Sequence, residues 1–251
     1  MAIINNILKN FNLKLVKLTK EGIQKTQMDL NEDPVFLKLY NEVKPYTMTS
    51  IERCYGLYSA VNYIVNNNIQ GNFVECGVWR GGSSMVILKT LMLHGVRDRK
   101  LYMYDTYEGM SAPTQLDGRE ANKEWKAAVV SDETNSWCLS KIDEVRQNMQ
   151  STGYDTSLIE LIKGKVEDTI PGVLPEKIAL LRLDTDWYES TKHELLHLFP
   201  LLVQNGVLVI DDYGHWEGAK KAVDEYFAGN KNVWMHRLDY TGRLIIKNWQ
   251  Q

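Results

Sequence analysis

From about residue 70 onward, short apolar runs alternate with stretches whose apolar positions recur every three or four residues. The runs are NFVEC, KLYMYD, LIELIK, KIALLRLD and GVLVID. Each is nearly continuous in apolar residues, the mark of a parallel strand covered on both faces. Between them the spacing predicts helices from Ser83 to His94, through His193 to Phe199, and from Gly218 to Phe227. Strands and helices in alternation give an α/β fold, a doubly wound parallel sheet. The ending differs: VWMHRLD and GRLIIKN follow each other with only Tyr240, Thr241 and Gly242 near the turn, and predict an antiparallel hairpin at a sheet edge.

Residues 21 to 70 read as helical material, NEDPVFLKLYNEV and then SIERCYGLYSAVNYIV, parted by a turn around Lys44, Pro45 and Tyr46. The expected division is a helical cap over residues 1–70 and an α/β domain over 71–251. Ser111 to Thr152 is long for a strand-to-helix connection and rich in polar residues, as lids and substrate loops are. Within it KIDEVRQNMQSTG predicts a helix stopped by Gly153, with Ile142, Val145 and Met149 on one face. Ile4, Ile7, Leu8, Phe11 and Leu15 lie at helical spacing with lysines between them. Such a helix packs on the core, on another subunit or on a membrane surface.

Composition narrows the function. With 251 residues and 44% hydrophobic content, the chain can bury one sizeable core but not two full domains. A formal charge of −3 gives no global basic field, which argues against nucleic acid as partner. The three cysteines, Cys54, Cys76 and Cys138, are far apart and include no CxxC, so a disulfide framework or thiolate zinc site is not expected. No apolar stretch approaches the roughly 20 residues of a transmembrane helix. No export signal is recognised, and the expected location is cytoplasmic.

Five acids stand at strand ends: Glu75, Asp184 and Asp186, and the adjacent pair Asp211 and Asp212. Open α/β sheets build their ligand sites there. Crowded carboxylates repel unless a cation joins them, and an oxygen-binding divalent metal is the first expectation. After Glu75 comes Cys-Gly-Val-Trp-Arg-Gly-Gly-Ser-Ser, a glycine turn between strand and helix in which Gly77, Gly81 and Gly82 permit close approach of a ligand. Its spacing is not GxGxxG, which weakens a dinucleotide reading. Glu75 and Arg80 suit a zwitterionic amino acid. Asp105, ending the next strand, suits a ribose diol or a helix cap.

The strings VECGVWRGGSS, YDTYEGM, WCLSKIDEVRQNMQSTGY, LRLDTDWYEST and GVLVIDDYGHWEGAKKAVDEYF with TGRLIIK resemble the macrocin-type O-methyltransferases, the TylF, MycF and NovP group. The resemblance runs in order from about Met48 to Lys247 and is weakest over the first fifty residues and from Met110 to Val130. It implies a Rossmann-like class I methyltransferase with a mostly parallel seven-stranded sheet. S-adenosylmethionine (SAM) and Mg²⁺ would be its cofactors, a sugar or glycoside hydroxyl its acceptor, and a homo-oligomer its expected state. Carried over position by position, it makes Asp184, Asp211 and Asp212 metal ligands and Asp186 the general base. Glu75, Gly77, Val78, Trp79, Arg80 and Ser83 become SAM-site residues, with Asp105 on the ribose, Gly164 and Val166 near adenine, and Met48 and Thr49 closing over the cofactor.

Other readings stay open. Metal chelation of a diol does not distinguish a sugar from a catechol, and the fold can persist as a non-catalytic SAM-binding protein. His193-Glu194-Leu195-Leu196-His197 matches HExxH, with Glu217 downstream as a conceivable third zinc ligand. His215 either contacts substrate or is a plain loop histidine. Trp187, Tyr188 and Trp216 either wall a sugar site or fill the core.

Overall fold

The computed structural model describes Leu30 and residues 32–131 and 135–249. It falls into two compact units, Met1–Lys38 and Leu39–Gln251. The expected amphipathic helix at Ile4 to Leu15 lies outside the described residues. Helices α1 (Pro34–Val43) and α2 (Ile51–Asn66) match the two helical stretches read before the first strand. α2, grouped with the cap in the sequence reading, belongs to the second unit, where it packs on the sheet.

Strands β1 (Asn72–Cys76), β2 (Leu101–Asp105), β3 (Ile159–Lys163), β4 (Ile178–Leu183), β5 (Leu202–Ile210), β6 (Met235–Arg237) and β7 (Arg243–Ile246) form one sheet in the order β3-β2-β1-β4-β5-β7-β6. The first five pair in parallel; β7 runs antiparallel to β5 and carries β6 at the edge. The fold is thus the expected Rossmann-like α/β arrangement with its antiparallel hairpin. Helices α3 (Gly82–Leu93), α4 (Gly118–Ala127), α5 (Ile142–Ser151), α6 (Val166–Thr169), α7 (Tyr188–His197) and α8 (Glu217–Tyr226) complete the described unit. Two apolar clusters lie on opposite faces of the sheet. Phe73, Met103, Leu180 and Val209 point to one, and Val74, Tyr104, Leu181 and Leu208 to the other. Alternate residues of each strand therefore serve opposite layers, which explains why the strands read as unbroken apolar runs.

One departure from the expected pattern positions the site. The polar connection after β2 contains α4, which the hydrophobic spacing does not reveal because Ala121 is its single buried residue. A capping box starts the short 3-10 turn Gln115–Asp117 that leads into it: the Thr114 hydroxyl accepts from the backbone over that turn, and Asp117 Oδ2 accepts from the Thr114 N–H at 2.7 Å. Asp117 Oδ1 also takes the Tyr188 N–H at 2.6 Å, so the same carboxylate pins the insert to the first turn of α7.

Candidate active site

At the carboxyl edge of β1, β4 and β5 lies a cavity of about 330 Å³. Its wall includes most of the residues singled out from sequence: Met48, Thr49, Glu75, Gly77, Val78, Trp79, Ser83, Asp105, Asp184, Asp186, Asp211 and Asp212. Gly164 and Val166 line a smaller adjoining hollow whose wall shares Gly77, Asp105 and Asp184 with the first. Arg80 stands outside both walls. Its Nε pairs with Glu144 at 2.7 Å and its Nη1 donates to the Pro45 carbonyl at 2.9 Å, so it braces the glycine turn against α5 and the segment before α2.

The glycine turn is built to bring backbones together. Gly77 has φ +80°, and a β-carbon there would lie 1.9 Å from the Asp184 carbonyl oxygen. A β-carbon on Gly82 would meet the Tyr46 carbonyl at 2.5 Å, which seats the Tyr46–Thr49 segment on the first turn of α3. Asp105 lies beneath this turn: its Oδ2 accepts from the N–H groups of Val78 at 2.6 Å and Trp79 at 3.1 Å, and its Oδ1 from Tyr107 at 2.7 Å. Asp105 therefore fixes the turn as well as lining the cavity. Burial pushes its pKa up, against the pull of those three N–H groups.

Four non-glycine residues of this region hold left-handed backbones: Trp79 (φ 47°), Tyr107 (54°), Cys138 (54°) and Asp186 (69°). Such conformations cost on the order of 1–3 kcal/mol each and persist where surrounding structure imposes them, commonly at functional sites.

Asp184, Asp186 and Asp212 each offer an oxygen, and these atoms lie within 4.8 Å of one another. At that separation two unit charges repel by about 3 kcal/mol at an effective dielectric near 20. Three such pairs approach the whole stability of an ordinary domain, roughly 5–15 kcal/mol. The group must therefore take up protons or a cation. The pKa directions agree: burial, reinforced by the neighbouring carboxylates, raises Asp184 and Asp212 well above the usual range. It raises Asp186 to about 7 although Asp212 hydrogen-bonds it. Asp212 Oδ2 is buried with no hydrogen-bond partner.

Asp211 is placed differently. Its Oδ1 accepts from Arg182 Nη2 at 2.7 Å and its Oδ2 pairs with Arg53 Nη1. Arg53, on α2, also reaches Asp239 Oδ2 at 3.1 Å in the turn between β6 and β7. Glu75 is 1% exposed; it pairs with Arg182 Nη1 at 2.8 Å and accepts the Ser84 hydroxyl. Sequence reasoning gave Arg53, Ser84 and Arg182 no part in the site. Arg182 did carry a signal, being the one charge within the apolar run IALLRL.

On the far wall Trp137, Trp187 and Trp216 stack edge to face with ring centroids 5.4–5.7 Å apart. Trp137 and Trp216 line the cavity, while Trp187 is buried and donates to the Ser111 carbonyl at 2.9 Å. His215, also in the wall, lies edge-on to Trp216 at 4.5 Å. The HExxH histidines assemble no metal site: His193 Nε2 is 2.9 Å from the Ile170 carbonyl, and buried Glu194 accepts the Thr185 hydroxyl at 2.9 Å. Among the described residues, the aspartate trio is the one group of such side chains that converges.

A parallel sheet in this order, with an antiparallel last pair, a glycine turn after β1 and acids after β4 and β5, defines a Rossmann-like methyltransferase. The solved O-methyltransferase NovP matches it with a TM-score of 0.73 and 29% identity over 81% of this chain and 83% of NovP. The chain belongs to the macrocin O-methyltransferase (TylF) family, whose profile matches residues 12–245. Among curated relatives, the demethyldecarbamoylnovobiocin O-methyltransferase of Streptomyces niveus is 32% identical over 73% of this chain and 68% of its own length. The 8-demethyl-8-(2,3-dimethoxy-alpha-L-rhamnosyl)-tetracenomycin-C 4'-O-methyltransferase of Streptomyces olivaceus is 32% identical over 72% of this chain and 67% of its own. The protein is an O-methyltransferase.

Proposed function

We propose that this protein moves the methyl group of SAM to a hydroxyl of a sugar or glycosylated small molecule, with Mg²⁺ held beside the acceptor. The carrying observation is the convergence of Asp184, Asp186 and Asp212 on one point, with the Asp212 Oδ2 buried and unpartnered, in the same cavity as the glycine turn. The residues fit both groups. The wall holds seven carboxyl groups, Glu75, Asp105, Glu124, Asp184, Asp186, Asp211 and Asp212, against two guanidiniums, Arg53 and Arg182, and the acidic excess suits a hard dication together with a sulfonium. The close approaches at Gly77 and Gly82 join the turn to the Asp184 and Tyr46 backbones, which makes it a fixed part of that wall.

When bound, SAM would supply an electrophilic methyl and Mg²⁺ would lower the acceptor hydroxyl's pKa. Glu75 and the turn from Gly77 to Ser83 hold the amino acid end, Asp105 and the hollow at Gly164 and Val166 the nucleoside, and Met48 and Thr49 cover it. Asp184, Asp211 and Asp212 hold the cation, and Asp186 takes the acceptor proton; a carboxylate whose pKa is lifted toward neutrality is a better base at working pH than an ordinary one. Trp137 and Trp216 give the sugar ring an apolar wall.

A second reading of the cation set has its own support. The oxygens that converge belong to Asp184, Asp186 and Asp212, whereas Asp211 has both oxygens on arginines. In that reading Asp186 is a ligand and Asp211 anchors the arginines. Calorimetric titration of SAM and then Mg²⁺ into wild type tests the proposal, with SAM binding and SAM-dependent Mg²⁺ uptake expected. Folded protein that ignores SAM at high micromolar concentration would refute it.

A further inference from the structure

Arg182 is the penultimate residue of β4, and its side chain is 2% exposed. The other residues of that strand are Ile178, Ala179, Leu180, Leu181 and Leu183, all buried. An apolar residue would suit the sheet equally well, because a buried ion pair rarely stabilises a fold more than a packed hydrophobic group does. Here the guanidinium meets three carboxylates. Nη1 donates to Glu75 Oε1 at 2.8 Å and to Asp184 Oδ2 at 2.6 Å, and Nη2 to Asp211 Oδ1 at 2.7 Å. The three acids come from three adjacent strand ends, and Glu75 and Arg182 are register partners across β1 and β4.

These acids have separate duties in the reading above. Glu75, tied to Ser84 on the first turn of α3, faces the cofactor side; Asp184 and Asp211 face the cation side. One planar fork thus spans the line between the two sites and fixes the orientation of carboxylates on both. A lysine carries the same charge without the fork.

We propose that Arg182 is a positioning residue that sets the cofactor-side acid and the cation-side acids together, so that the two ligands meet prearranged carboxylates on a common frame. The inference rests on the methyltransferase reading of the site. Its test is Arg182→Lys, measured three ways: thermal melting, Mn²⁺ affinity from the electron spin resonance of free Mn²⁺, and S-adenosylhomocysteine affinity by calorimetry. The expected result is a cooperative melt within a few degrees of wild type with both affinities weakened, Mn²⁺ by about 10- to 100-fold, as loss of an outer-shell partner does. Wild-type affinity for either ligand in a folded Arg182→Lys would overturn the proposal. Should that variant fail to fold, Glu75→Gln answers the same question from the cofactor side. It leaves every aspartate in place, so weakened Mn²⁺ binding supports the shared frame and unchanged Mn²⁺ binding overturns it. Failure of the underlying reading looks different. Wild type that binds neither ligand refutes the site assignment, and wild type that binds S-adenosylhomocysteine but no Mn²⁺ refutes the cation and this inference with it.

Discussion

Gly77 and Asp184 touch backbone to backbone: the carbonyl oxygen of Asp184 lies where a β-carbon on Gly77 would stand, 1.9 Å away. The Asp184 N–H in turn donates to the Cys76 carbonyl at 2.9 Å. The glycine turn and the acid loop are therefore joined in one seam. Gly77→Ala meets fixed backbone and a positive φ together, and cannot relax by moving a flexible side chain. Expected is loss of S-adenosylhomocysteine binding with a melting temperature several degrees lower; calorimetry and a thermal melt check it.

Asp186 and Asp211 exchange roles between the two cation readings, which makes their amide variants decisive. If Asp211 is a ligand, Asp211→Asn loses Mn²⁺ and Asp186→Asn keeps it while turnover falls roughly 100-fold or more, the scale of a lost general base. If the convergent trio holds the ion, Asp186→Asn loses Mn²⁺ and Asp211→Asn retains it.

The acid trio makes stability depend on pH in an unusual sense. The Asp186 carboxyl is raised from 3.8 to about 7, and Asp184 and Asp212 are raised as well, so the folded state holds protons that the unfolded chain releases. Their contribution is lost as pH climbs from about 4 through 7. Chelated protein should melt higher at pH 5.5 than at pH 8, and Mg²⁺ should recover part of the difference at pH 8. A chelated protein that melts higher at pH 8 would contradict this.

Trp216 is 8% exposed and shares its packing with Trp137 and Trp187. Trp216→Ala should raise the acceptor KM by about ten-fold, in line with loss of an aromatic contact and its apolar area. S-adenosylhomocysteine affinity should stay within two- to three-fold. Equal losses in both would point to collapse of the wall instead.

His193→Ala should leave Mn²⁺ affinity unchanged, and purified wild type should carry no stoichiometric zinc. The HExxH spacing does put both histidines on one face of α7, with rings 4.4 Å apart, but the glutamate between them is buried against Thr185.

The sheet was legible because each strand serves two apolar layers and so reads as a continuous run; the acids were legible because each follows such a run. Glycine spacing, read before any geometry, located the turn. What stayed hidden depends on partners distant in sequence. Nothing around Arg53 announces that its guanidinium reaches Asp211 and Asp239, 158 and 186 positions further on. Helix α4 escaped notice because Ala121 is its one buried residue, so no apolar stripe marks it. Arg80, read with Glu75 as suited to a zwitterionic amino acid, pairs with Glu144 in the insert, a contact that no local pattern encodes.

The anchoring of the insert bears on how acceptor choice can change. Asp117 holds it to the Tyr188 N–H, Trp187 reaches the Ser111 carbonyl, and Trp125 Nε1 closes it on the Met110 carbonyl at 2.9 Å. One of these three ties uses a backbone atom of the insert, the Ser111 carbonyl; the other two need the Trp125 indole and the Asp117 carboxylate, which sits opposite Gly218 where a β-carbon would collide with it. Between Asp117 and Trp125 only Ala121 is fully buried, so the other positions of that stretch carry few packing constraints. Exchange of the residues between Asp117 and Trp125 among relatives is therefore expected to change acceptor preference while S-adenosylhomocysteine affinity stays as it was, because the Arg80–Glu144 brace of the glycine turn lies outside that stretch.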